Sequence, residues 1–280
     1  MKKIDLHIHT HYSDGIHSVE ETFELAKKAG IEVLAITDHN WHQHIKNNAE
    51  IAKKHGLDYV QGIEISSLFE GKTVHILGYS KSFDFEKLGA GLDKLIKGYD
   101  QRARQIVENI NTNKTAKIDY EDMTKKFKGC IMNFPIQIEL GKSLKMAPLD
   151  TKLEEIYKKH IEPFGDWLVK PEEAVDIIHK SRGIAILAHP AVAWRKLGKE
   201  SFDRLMATLM EAGIDGLEAS HSEQSEAEEK EIVELAKKHD LIITGGSDFH
   251  GLEVHPHRKI GEKGLTRKQY EKILKRLDCV

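Results

Sequence analysis

The sequence predicts an α/β fold in which mostly parallel strands close into one barrel and helices wrap the outside. Three observations carry this expectation. Short β-rich segments alternate with amphipathic helical ones, the pattern of βαβ units and a parallel sheet. Segments such as 31–37 (IEVLAIT) are almost continuously apolar, as strands buried on both faces are. Roughly six or seven such units fit into the 280 residues, a number that favours a closed barrel over an open sheet.

The elements follow in order. Residues 3–10 alternate strictly, with Ile4, Leu6 and Ile8 on one side of a strand and Asp5, His7 and His9 on the other. A turn at Ser13-Asp14-Gly15 leads to Ser18, which forms a capping box with Glu21 and starts a helix ending at Gly30. Strand 31–37 runs into Asp38-His39-Asn40. A helix over about 41–55 stops at Gly56. Residues 59–65 form a third strand that ends at Glu64, and 73–79 its hairpin partner across Glu70-Gly71. From Leu88 to Trp167 the pattern is helical and lysine-rich, with helices over 92–111, 120–127, 135–141 and 153–160. The predicted organisation is therefore a barrel from residues 1–91 and 166–280, interrupted by a helical insertion over 92–165. Pro171 then starts a helix that ends at Gly183. Strand 184–188 ends at His189-Pro190, helix 202–212 follows, and strand 214–219 leads to His221. Helix 223–239, strand 241–245, the loop Ser247-Asp248-Phe249-His250 and a helix over 266–277 complete the chain.

Charge narrows the function classes. The chain has 42 basic and 45 acidic residues, a formal net charge of −3, so it lacks the basic footprint of a duplex nucleic-acid binder. A local pocket for a small phosphorylated molecule, a nucleotide included, is compatible with this balance. Two cysteines make no disulfide framework and fit a reducing compartment. Residues 1–10 lack an apolar signal core, and the longest apolar stretch, 183–194, is too short and too polar to span a bilayer. A cytoplasmic protein that does not enter a membrane is expected. The sequence leaves the oligomeric state open.

Histidine is abundant, with 17 residues, and its placement is informative. His7, His9, Asp14, His39, Glu64, His189, Asp248 and His250 all fall at or just beyond predicted strand ends, and His75 lies on the hairpin partner of the Glu64 strand. The carboxyl ends of barrel strands converge on one face, which holds the active site. Imidazole and carboxylate without thiolate suits Zn²⁺, Mn²⁺ or Fe²⁺. Nine donors suffice for two or three ions, with Glu64 as a natural bridge because one carboxylate offers two oxygens. His17, His42, His44, His55, His160, His179 and His239 read as surface residues at helix ends or faces.

The motifs Asp5-Leu6-His7-Ile8-His9-Thr10 with Ser13-Asp14-Gly15, Thr37-Asp38-His39, Gly62-Ile63-Glu64-Ile65-Ser66, 75–79 (HILGY), Ala188-His189-Pro190 and 246–251 (GSDFHG) occur in this order. Together they resemble the PHP (polymerase and histidinol phosphatase) metallohydrolases. The resemblance implies a distorted (β/α)7 barrel with a trinuclear site. One ion would take His7, His9, Glu64 and Asp248; a second Glu64, His75 and His189; a third Asp14, His39 and His250. It also implies that Asp5 and Asp38 orient histidine ligands. The chain is most similar to members acting on nucleotides, among them nucleoside monophosphate and bisphosphate phosphatases and an exoribonuclease. Such members carry an Arg-Pro-His motif in the insertion, whereas the corresponding stretch here reads Asn133-Phe134-Pro135-Ile136.

The expected activity is hydrolysis of a phosphate ester through a metal-bridging hydroxide. His221 and Asp38 are the catalytic candidates, and His221 and Arg195 the candidate substrate contacts. Arg102, Arg104 and Lys142 are further basic residues for the role of the absent arginine. Two rival readings are a metal-dependent hydrolase acting at carbon, which commonly has a lysine where Glu64 stands, and a non-catalytic metal-binding module.

Overall fold

The computed structural model describes residues 3–280; Met1 and Lys2, the start of the amino-terminal stretch discussed above, lie outside them. The first half contains β1 (Lys3–Asp5), α1 (Val19–Lys28), β2 (Ile31–Leu34), α2 (Ile45–His55), β3 (Asp58–Tyr59), β4 (Gln61–Phe69) and β5 (Lys72–Ser80). Four helices follow without a strand: α3 (Phe85–Thr112), α4 (Tyr120–Lys126), α5 (Asn133–Leu144) and α6 (Thr151–Lys158). The alternation then resumes with α7 (Pro171–Lys180), β6 (Ile184–Leu187), α8 (Pro190–Leu197), α9 (Lys199–Glu211), β7 (Gly216–His221), α10 (Glu226–Lys238), β8 (Ile242–Gly246) and α11 (Arg267–Leu277).

The strands form two sheets, β1-β2-β3 and β4-β5-β6-β7-β8. All neighbours are parallel except that β5 runs antiparallel to both β4 and β6. The sheets meet along two seams. At one, His39 bridges Glu64; at the other, Ile8 bridges Phe249 and the Leu6 N–H donates to the Gly245 carbonyl at 3.2 Å. Single bridges thus replace a continuous ladder at two places, which is what distorts the barrel.

Several expectations shift by local chemistry. Strand β1 ends at Asp5, and both sides of the segment 4–9 are buried, so its alternation separates apolar from polar interior. The predicted strand over 59–65 is broken at Val60, and Glu64 lies inside β4, away from the strand's end. The helix predicted from Trp41 begins only at Ile45. Helix α8 has no counterpart in the sequence reading: Pro190 at its first position has no N–H to lose and starts a helix directly after His189. Helix α3 spans 28 residues and contains the predicted boundary at residue 92. Its Leu88, Leu92, Leu95 and Tyr99 pack into the core beneath β4–β6, while Ala103, Ile106, Val107 and Ile110 pack with α4, α5 and α6. No helix among the described residues is long and apolar enough to cross a membrane.

Candidate metal centre and its cleft

The two seams position the donors. Where regular pairing stops, side chains that would lie along the sheet turn into the barrel mouth. The Asp248 N–H donates to the His7 carbonyl at 2.8 Å, and the His9 N–H to the Phe249 carbonyl at 2.9 Å, so the two segments lock side by side. Gly246 permits this approach, since a Cβ there would sit 2.4 Å from the His7 nitrogen. His39 and Glu64 are brought together by the other seam. Glu64 and His75 are diagonal neighbours on one face of the β4–β5 hairpin, in a register that pairs Ser66 with His75 and Glu64 with Leu77. Two donors have left-handed backbones: His189 at φ 31° and Asp248 at φ 53°. Such conformations cost about 1–3 kcal/mol each and persist where surrounding bonds over-determine them. Here the His189 N–H is held by Glu218 Oε2 at 2.8 Å and the Asp248 N–H by His7.

Glu64 is the hub. Its Oε2 faces the Nε2 atoms of His7 and His9, both at 3.1 Å, and of His39 at 3.4 Å. Its Oε1 faces His75 Nδ1 at 3.0 Å and His189 Nε2 at 3.2 Å. The two oxygens therefore address two different sets of imidazoles. Asp248 Oδ1 lies 3.3 Å from His7 Nε2 and 3.1 Å from His9 Nε2. Asp14 faces His250 at 3.3 Å, His9 at 3.6 Å and His39 at 3.9 Å. The nine sequence-selected donors converge: eight fall into subsets whose donor atoms lie within 4.8 Å of one another, and His189 joins them through Glu64 Oε1.

The electrostatics fit divalent cations. Three buried carboxylates and six imidazoles share one small volume, and Asp14 Oδ1 is buried without a hydrogen-bond partner. Burial opposes ionisation of Glu64, yet His39, His7 and His75 outweigh it and hold the carboxyl well below its ordinary range. Asp248 is likewise held low against burial, by Arg258 and His7 above all. Burial opposes protonation of His9, but Asp248 and Glu64 push its pKa up to about 10. His39, where burial prevails, is pushed down to about 4. The carboxylates are thus ready as anionic donors, and protons on His7 and His9 are what metal ions would displace.

A surrounding layer of carboxylates fixes the donors. Glu218, which the sequence reading passed over as a site residue, accepts from His7 Nδ1 at 2.8 Å and from the His189 backbone. A bulge between Glu218 and Ser220 lets Glu218 and His221, three positions apart, both face the cluster. Asp5 acts on backbone and not on rings: it accepts the N–H groups of His7 at 3.3 Å, Ser247 at 2.9 Å and Gly261 at 2.8 Å, and so steadies the His7 segment through the main chain. Burial pushes its pKa up to about 6. Asp38 is corrected only as a catalytic candidate. It is fully buried, outside the cleft lining, accepts from Thr10 and Ser13, and faces His44 Nε2. Its one path to a donor runs through Ser13 Oγ to His9 Nδ1, at 2.6 and 3.4 Å. A catalytic contact by Asp38 is therefore incompatible with its position. His44, expected at the surface, is buried as Asp38's partner at 2.9 Å; His160 is likewise buried, against Thr115.

The donors open into a cleft of about 350 Å³. Its remaining wall is built by Val192, Lys196, His221, Glu223, His255 and Arg258. None of the basic residues weighed from sequence is among them. Arg195 points to the outside of α8, bonded to Glu228 and the Glu223 carbonyl. Arg102 is committed to the Glu162 carbonyl and Asn133, Arg104 to Asp100 and Glu121, and Lys142 to Glu139. The cations at the cleft are Lys196 and Arg258. Lys196 stands four residues after Val192, one helical turn along the same face of α8, so recognising that helix would have turned it inward and Arg195 outward. Arg258 lies in an irregular loop with no periodicity to read.

Comparison with known proteins agrees with this geometry. The family model described as "PHP domain" matches residues 5–179. The chain is 30% identical to the 5'-3' exoribonuclease Rnm of Escherichia coli over 88% of its own length and 84% of the relative's. It is 26% identical to a phosphoribosyl 1,2-cyclic phosphate 1,2-diphosphodiesterase of Eggerthella lenta, covering 88% and 94%. A 3',5'-nucleoside bisphosphate phosphatase of Chromobacterium violaceum is 27% identical, covering 89% and 88%. In fold, the chain superposes on an amidohydrolase structure from Chromobacterium violaceum with bound sulfate and no metal, at a TM-score of 0.82 and 24% identity over 98% and 96% of the chains. The matched model covers more than half of the chain, and the barrel, the motif order and the nine converging donors are of one piece with it: this chain belongs to the PHP-domain family.

Proposed function

We propose that this protein is a metal-dependent phosphoesterase whose substrates are small phosphorylated molecules of the nucleotide class. The observation that carries the reading is Glu64, whose two oxygens face separate imidazole sets and suit a carboxylate shared between ions. The curated relatives, a phosphatase, a diphosphodiesterase and an exoribonuclease, all act on phosphate esters. Three ions of Mn²⁺, Fe²⁺ or Zn²⁺ character fit the donors: His7, His9, Glu64 and Asp248; Glu64, His75 and His189; Asp14, His39 and His250. When bound, such ions supply Lewis-acid polarisation of the phosphate and acidify water. We further read the helical segment 92–165 as an insertion beside this cleft.

The chain's own residues do the rest. Glu218 and the Asp38–Ser13 pair hold the rings of His7 and His9. His221 Nδ1 accepts the Glu223 N–H at 3.0 Å, which leaves Nε2 as the protonated nitrogen, 3.3 Å from Asp248 Oδ2 at the cleft floor. That N–H is placed to donate to a phosphate oxygen or to the departing alkoxide. The test is turnover of a panel of nucleotides and short oligonucleotides by chelator-stripped protein, before and after Mn²⁺ is restored. Hydrolysis should vanish and return; an undiminished rate in the stripped protein would refute the reading.

A further inference from the structure

Arg258 stands out among the residues that line the cleft. It comes from the loop after β8, is largely buried, and reaches the metal-donor cluster from its open side. Its Nε and Nη2 both donate to Glu223 Oε1, at 3.2 and 3.0 Å, and its Nη1 contacts Asp248 Oδ2 and the Asp248 carbonyl. A guanidinium has five N–H donors. Four are thereby directed at protein, and one on Nη2 is left without a partner among the described residues. The two Asp248 oxygens are divided: Oδ1 faces His7, His9 and His250, while Oδ2 faces His221 and Arg258. The guanidinium and the His221 Nε2 therefore converge at Asp248 Oδ2, on the cleft wall, and that Nε2 has no hydrogen-bond partner among the described residues. Glu223 fixes the fork from behind and is itself steadied by His257 at 3.0 Å. A planar fork held in place by Glu223 and Asp248 is preorganised, and its remaining Nη2 N–H is the donor left for an anion.

We propose that Arg258, positioned by Glu223, is the cation that contacts the substrate's phosphate oxygens at this cleft, acting together with His221. The inference rests on the phosphoesterase reading above. It also answers the question left by residues 133–136 (NFPI), because the arginine enters from the loop after β8 and not from the helical segment. Lys196, also on the cleft wall, makes no hydrogen bond or ion pair among the described residues, so it offers charge without orientation.

The experiment uses the Mn²⁺-loaded full chain and inorganic phosphate as probe. Phosphate affinity is read by calorimetry, KM and kcat on the substrate panel, and bound metal by elemental analysis. Arg258→Met should weaken phosphate binding and raise KM by about ten- to a hundredfold, the loss expected for a charge-assisted bond, with metal content unchanged. Arg258→Lys should recover part of this, and Glu223→Gln should raise KM less than Arg258→Met does. Two results would overturn the proposal: unchanged phosphate affinity in Arg258→Met, or a loss explained by lost metal, which would make Arg258 a prop for Asp248 only. A wild-type protein that binds phosphate through Arg258 but turns over no ester would instead refute the phosphoesterase reading and leave the anion site standing.

Discussion

At the scale of single residues, the site is a problem of holding like with like. Six imidazoles and three carboxylates cannot share a cleft unless each is aimed, and the aiming is done by residues that face away from solvent. Glu218 is the clearest, because one carboxylate fixes both the His7 ring and the strained His189 backbone. Glu218→Gln should lower metal affinity or turnover by about 10- to 100-fold with little change in fold, checked by metal titration beside circular dichroism. The nine candidate donors were legible in the sequence because eight sit in motifs at or just beyond predicted strand ends and His75 lies on the hairpin partner of the Glu64 strand. Glu218 was not, since alternation along β7 puts it and His221 on opposite faces, and only the bulge at Ala219 brings them together. Arg258 was illegible for a different reason: an irregular loop has no period from which a side chain's direction follows.

At the scale of elements, packing decides what local pattern leaves open. Helix α1 carries the capping box its sequence suggests, Ser18 with Glu21, and α10 carries a further one, Ser225 with Glu228, which starts the helix after the expected residue 223. Helix α8 escaped notice because eight residues starting with proline give too little period to distinguish a helix from a turn, and its inward face follows only once the helix exists. Asp215 shows how elements are fastened. It binds His179 of α7 and the Ala185 N–H of β6, both at 2.8 Å, and Arg276 of α11 at 2.7 Å. Burial works against its charge, but these partners outweigh burial and hold its pKa below the ordinary value of 3.8. A lowered carboxylate pKa gives stability that is present above the unfolded-state value and is lost as pH falls through the folded-state value. Asp215→Asn should therefore lower the melting temperature at neutral pH, by the equivalent of about 1–3 kcal/mol, and the gap from wild type should close as pH falls below 4. Thermal melts across that range decide it; a gap that persists or widens in acid would contradict the assignment.

At the scale of the whole molecule, α3 is the common member of two apolar clusters. Its first half completes the core beneath β4–β6 and its second half completes the cluster of α4, α5 and α6. A rigid helix shared in this way couples the two regions. Ile106→Ala, fully buried in the second cluster, should cost about 2–5 kcal/mol and lower one common unfolding transition. Far-ultraviolet ellipticity and release of bound metal should then melt together, and two separated transitions would show that α3 does not couple them. The barrel itself was legible from alternation, whereas its two seams were not, because a single bridge leaves no mark on local sequence.

Those seams also set the order in which the site can exist as the chain is made. Glu64 and His75 are 11 residues apart, on one hairpin that closes locally and early. Asp5 and Ser247, which bind each other where β1 meets β8, are 242 residues apart. A nascent chain that has not yet delivered β8 carries the hub and its five imidazoles but lacks Asp248, His250 and the arginine beyond them. The centre is therefore begun by one of the shortest loops in the molecule and completed by one of the longest, so full metal-binding capacity and barrel closure arrive as a single event.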